Sequence, residues 1–92
     1  MQENDEARVD ALLHIIVRDI SHEMRSSRLR LGLSQEDVAL AAGLAVVTYG
    51  QFERHRLPPA PPLNPKLRTL VRIADVLGAR VRFVIEPDSP TP

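Results

Sequence analysis

The sequence predicts an all-α fold, a compact bundle of four to five helices with an extended N-terminal helix and one short C-terminal strand. Three observations carry that expectation. Apolar residues recur at helical spacing from Val9 to Leu31, serine and glycine punctuate the segment from Ser34 to Gly43, and a proline-rich stretch at 57–65 sets off a last amphipathic segment ending at Gly78. Ninety-two residues suit a single domain, divided into an N-terminal helical extension (1–19), a core (20–79), a strand (80–86) and a disordered tail (87–92).

The elements follow in order. Residues 1–6 are polar and read as frayed. From Ala7, the residues Val9, Leu12, Leu13, Ile16, Ile20, Met24 and Leu31 fall on one helical stripe, with no glycine or proline before Gly32. Ser34 can cap a second helix over Gln35–Ala42, with Asp37 completing a capping box and Val38, Ala39 and Ala42 facing inward. Gly43 stops it. A third helix is predicted from about Ala45 to Arg54, burying Tyr49 and Phe52. Residues 57–65 hold five prolines and form a loop. Lys66–Leu77 is the fourth helix, with Leu67, Leu70, Val71, Ala74 and Leu77 expected inside. Arg80–Ile85 alternates as a strand, with Val81, Phe83 and Ile85 on one side.

Composition excludes several classes of function. No cysteine is present, so disulfides and thiolate metal sites are ruled out. His14, His22 and His55 show no ligand spacing, so no metal is expected. No nucleophile, acid–base pair or metal cluster points to an enzyme, and no cofactor is implied. The longest apolar run, Leu12–Val17, is short and interrupted by His14. That pattern suits neither a signal peptide nor a membrane span, and a cytoplasmic protein is expected.

The formal net charge is zero, but the charges are not evenly spread. Residues 1–10 carry four acids and one base, whereas residues 25–72 carry eight bases and three acids. Phosphate affinity follows local charge, so the middle of the chain can meet nucleic acid although the whole is neutral.

Two short helices joined at Gly43-Leu44, with small Ala39 at their crossing, make a tight helix–turn–helix unit. The run Gly32-Leu33-Ser34-Gln35, then Gly43-Leu44, Glu53 and Leu70…Ala74…Leu77-Gly78, resembles the phage-repressor and Cro-like helix-turn-helix family, of the xenobiotic-response-element type. The resemblance covers roughly residues 20–80. It implies a compact bundle whose third helix enters the DNA major groove. It also implies a structural ion pair between Arg28 and Glu53. The sequence departs from the family in its long first helix, its proline-rich loop, its C-terminal strand and the apolar Ala45, Val46 and Val47 at positions usually polar.

Candidate DNA-binding residues follow. Gln35, at a helix N-terminus, is placed on a phosphate. Val46 and Val47 are candidates for thymine methyls and Gln51 for adenine, while Gly50 would allow close approach to the backbone. Thr48, Arg54 and Arg56 are candidates for the phosphate backbone, the two arginines also for a minor groove, with Lys66 and Arg68 as further cations. Val9, Leu12, Leu13 and Ile16 of the extension, with Val81, Phe83 and Ile85 of the strand, are assigned to a homodimer interface. The expected function is sequence-specific regulation of transcription, by default repression, on double-stranded DNA. Two alternatives stay open: an antitoxin that binds a toxin and represses its own operon, and a protein-interaction adaptor that has lost DNA binding, suggested by the Val46-Val47 face.

Overall fold

A computed structural model describes residues 2–55, 58 and 60–88. Four helices are present among them: α1 (Gln2–Arg30), α2 (Gln35–Ala42), α3 (Val46–Glu53) and α4 (Leu67–Val76). Helix α2 packs against both α3 and α4, and α1 lies across α3. Met24, Val38, Ala39, Ala42, Tyr49, Leu70, Ile73 and Leu77 form the buried core, with Leu33, Leu44, Phe52 and Val81 packed at its edges.

Local chemistry accounts for the ends of α2. Ser34 Oγ accepts from the Asp37 amide, and the Ser34 amide donates to Asp37 Oδ2, both at 2.9 Å. This reciprocal box satisfies two donors that the helix start would otherwise leave open. At the other end Gly43 adopts φ 72°, in the left-handed region. The Leu44 amide then reaches back to the Ala39 carbonyl at 2.8 Å, and the chain reverses sharply enough for α3 to cross fully buried Ala39.

Helix α1 begins at Gln2 rather than at Ala7. Asp5 and Glu6 lie near its start, where negative charge is favoured by the helix dipole, so a segment that read as a frayed polar tail extends the helix instead. At 1.5 Å per residue its 29 residues measure about 44 Å, which sets the 45 Å long dimension of the molecule. The extension is not bare. His14 Nε2 lies 3.0 Å from the Ala60 carbonyl, so the proline-rich loop rests on it. Val17 is buried and Leu13 half-buried, whereas Val9, Leu12 and Ile16 stay exposed.

Two further expectations are corrected. In α4 the inward stripe is Leu70, Ile73 and Leu77, with Leu67 55% and Val71 50% exposed. The helix carries apolar residues on two adjoining stripes, and packing against α2 selects the one containing Ile73. Residues 80–87 contain no strand in the single chain. A strand is defined by its ladder, and no backbone hydrogen bond from residues 80–88 to any described residue is formed. The segment leaves Gly78, at φ 67°, and follows an irregular course to Asp88, where the tail expected at 87–92 passes beyond the described residues. No helix among the described residues is long and apolar enough to cross a membrane.

Ile73→Ala should cost about 2–5 kcal/mol of stability through the cavity it leaves, and Val71→Ala under about 0.5 kcal/mol. Denaturant unfolding of the two variants checks this phase of α4, and equal losses would contradict it.

Candidate nucleic-acid interface

The α2–α3 unit is held by one buried ionic hub. Arg28 Nε donates to Glu53 Oε2 at 2.6 Å and Arg28 Nη2 to Glu53 Oε1 at 3.0 Å. Their side chains are only 12% and 3% exposed. The third guanidinium nitrogen, Nη1, donates to the Leu33 carbonyl at 2.9 Å, and Gln35 Nε2 donates to Glu53 Oε1 at 3.2 Å. The Arg28–Glu53 pair thus joins the end of α1, the turn after it, the start of α2 and the end of α3. Such two-pronged geometry is what a planar guanidinium provides and a lysine does not.

The electrostatics agree with the contacts. Burial acts to raise the Glu53 carboxyl pKa, but the hydrogen bonds it accepts, from Arg28 above all, outweigh burial and hold it below its ordinary value. The bond to Glu53 likewise raises Arg28. Tyr49 is fully buried beside the pair, and burial, reinforced by the Glu53 carboxylate, drives its hydroxyl far above the usual phenol value. That hydroxyl is buried without a well-formed hydrogen bond. Beneath the hub, buried Ser21 donates from Oγ to the Phe52 carbonyl, pinning α1 to the last turn of α3.

With its inner face anchored, α3 leaves the other side to solvent. Ala45 is its N-cap and makes no side-chain cap bond. Ala45, Val46, Val47 and Thr48 are exposed, Val47 at 71%, while Tyr49 between them and Gln51 is buried. Gln51 and Gly50 are half-buried. A Cβ on Gly50 would lie 3.4 Å from Gln35 Oε1. The glycine therefore faces the Gln35 side chain, which an alanine methyl would just touch. Arg54 follows α3 as its exposed C-cap, and Lys66 and Arg68 are exposed at the start of α4. Arg56 lies outside the described residues.

Several contacts have no advance signal in the pattern of residues. Gln35 spends its amide nitrogen on Glu53, whereas its place at a helix start suggested only an outward role. Ser21 and His14 sit among apolar neighbours with nothing to mark their carbonyl partners, which lie 31 and 46 residues away.

Arg28→Met or Glu53→Gln alone should cost about 3–5 kcal/mol, because each strands a buried partner, and the double variant should cost less than the sum. The pH dependence has a definite sign. A carboxyl depressed in the folded state contributes stability above its unfolded pKa, and this is lost as pH falls through the lower folded value. Thermal melts across that acid range should show a loss in the parent protein that Glu53→Gln lacks; an unchanged profile would place the pH dependence elsewhere.

A helix-turn-helix family model matches residues 24–84, which takes in α2, α3, α4 and the end of α1. No curated protein and no solved structure matches the chain significantly. The match spans well over half of the sequence and coincides with the bundle around the Arg28–Glu53 hub. On that ground the chain belongs to the Cro/C1-type helix-turn-helix family of DNA-binding transcription regulators.

Proposed function

We propose that the protein is a cytoplasmic, sequence-specific transcriptional repressor that binds double-stranded DNA as a homodimer, with α3 inserted in the major groove. The observation that carries this reading is the pairing of a rigid inner anchor with an open outer face. Arg28, Glu53 and Tyr49 fix α3 from within, and Ala45, Val46, Val47 and Thr48 stand free on its leading turn. Val46 and Val47 supply methyl contacts for thymine, and Gln51 supplies the amide that pairs with adenine. Gln35, Thr48, Arg54 and Arg56 supply phosphate contacts, and these set affinity rather than sequence preference. A two-fold dimer would present two α3 helices about 34 Å apart, one turn of duplex.

A second reading rests on exposed Leu40 and Val47, apolar residues near 70% exposure on the two helices of the motif. They suit a protein partner, such as the toxin of an operon the chain represses, or a ligand of an adaptor without DNA binding.

Gel-shift titration against selected genomic fragments separates the readings that bind DNA from the adaptor that does not. If four cationic contacts form across a dimer, log affinity should fall with log salt at a slope of about −3.6. Gln51→Ala should relax one operator position at a cost of about 1–3 kcal/mol, while Arg54→Ala should weaken all sequences alike and flatten the slope. Absence of any retarded fragment at low salt removes the repressor reading and leaves the adaptor.

Gly50→Ala separates fold from contact at one residue. The added methyl has room and improves helix propensity, so the free protein should gain up to about 1 kcal/mol. Operator affinity should fall nonetheless, because the methyl lies against Gln35 Oε1 and shifts a side chain proposed to meet phosphate. Calorimetric melts and the same gel shifts measure the two effects; tighter DNA binding would assign Gly50 no part in the contact.

A further inference from the structure

Among the described residues, the Tyr49 hydroxyl is the buried side-chain polar atom without a well-formed hydrogen bond. The residue is fully buried on the inner face of α3. A phenol kept from water without a partner costs stability, and phenylalanine would fill nearly the same space without that cost. The neighbour of the hydroxyl gives it a use. Tyr49 and Glu53 stand four residues apart on one helix, so their side chains share a face. Burial first, and then the adjoining carboxylate, raise the hydroxyl far above the ordinary phenol value.

That carboxylate already has three donors. Arg28 holds it at 2.6 and 3.0 Å, and Gln35 Nε2 donates to Oε1 at 3.2 Å, the longest of the three bonds. Both ends of the Gln35 amide face α3. Its nitrogen meets Glu53, and its oxygen lies 3.4 Å from where a Cβ on Gly50 would stand. A phosphate arriving at the start of α2 therefore meets a side chain turned away from it. For Gln35 to bond that phosphate its amide must swing outward. Glu53, only 3% exposed, then loses a donor, which a buried carboxylate tolerates poorly.

We infer that Tyr49 is the reserve donor for Glu53: its hydroxyl bonds the carboxylate when Gln35 turns out to the DNA backbone. This rests on the phosphate contact assigned to Gln35 in the proposed function and says how that contact is made without unsettling the hub. A hydroxyl hydrogen rotates to suit its acceptor, so the phenol takes up the bond with little movement of its ring. Tyr49 touches no DNA and acts as a positioning residue. The free protein carries the unmet hydroxyl, binding relieves it, and the exchange thereby favours the bound state.

The test begins without DNA. Gln35→Met removes the donor and keeps the bulk, and Tyr49→Phe removes only the hydroxyl. Tyr49→Phe alone should leave the urea midpoint unchanged or raised, because it deletes an unmet group. Gln35→Met alone should lower it little, because the phenol steps in. Together they should reduce the folding constant about tenfold beyond the product of the single effects, since neither donor remains. The chain has one tyrosine and no tryptophan, so its emission reports Tyr49. A phenol bonded to a carboxylate emits weakly, because the carboxylate takes its proton in the excited state. Gln35→Met should therefore be dimmer than the parent, and the parent should dim on binding the tightest fragment found by gel shift. Tyr49→Phe should weaken that binding about tenfold, at every sequence alike. Circular dichroism checks that each variant is folded. Additive losses in the free protein, or undimmed emission from Gln35→Met, overturn the exchange. Coupled losses with emission that stays constant on DNA binding overturn its link to DNA, and show Gln35 using its second amide hydrogen on phosphate without leaving Glu53. If no fragment is retarded, the repressor reading and the outward turn of Gln35 fall together, while the free-protein cycle still decides the bond between Tyr49 and Glu53.

Discussion

A single buried carboxylate organises this molecule. Glu53 sits at the end of α3 with its side chain almost wholly out of water, and it survives there charged only because Arg28 and Gln35 donate to it. Remove the donors and the cost of burying a bare carboxylate exceeds anything two eight-residue helices can supply. Helices as short as α2 and α3 do not hold themselves in water. Their orientation is borrowed from α1 through this contact, with Ser21 on the Phe52 carbonyl as a second pin. The leading turn of α3 can consequently be devoted to solvent-facing methyls without loss of position.

That arrangement explains why the motif tolerates an apolar outer face. In a helix positioned by its exposed residues, Val46 and Val47 would turn inward and take α3 with them. Here the inner face already holds Tyr49, fully buried, and the ionic hub, so an inward turn would expel a buried tyrosine and break an ion pair. The valines stay out because the alternative is worse, an example of a buried polar network choosing one orientation among several that hydrophobicity alone would allow.

What was legible in the sequence depended on how local the determinant was. The limits of α2 came from Ser34, Asp37 and Gly43, each acting within four residues, and they agree with the structure to the residue. The phase of α4 was misread because Leu67, Val71 and Ile73 are equally apolar, and only the shape of the surface on α2 distinguishes them. The start of α1 was misplaced because acidic residues read as a polar tail also stabilise a helix origin. The strand at 80–85 was read from alternation alone, which marks a chain able to pair but says nothing of where its partner is. The contact between residues 28 and 53 has no local signature, and only family resemblance pointed to it.

Helix α1 also has a mechanical meaning. It is one unbroken rod, and its two halves do different work: the N-terminal half meets the loop at Ala60 and the C-terminal segment at Asp88, and the C-terminal half carries Arg28. About 30 Å of helix separates Arg8 from Arg28. Over that span a tilt of about 5° at one end becomes a displacement of about 2–3 Å at the other, comparable to the length of a hydrogen bond. Whatever grips the far end of the rod therefore sets the tilt of α3, and the stiffness of a continuous helix turns a distant contact into a control on its orientation.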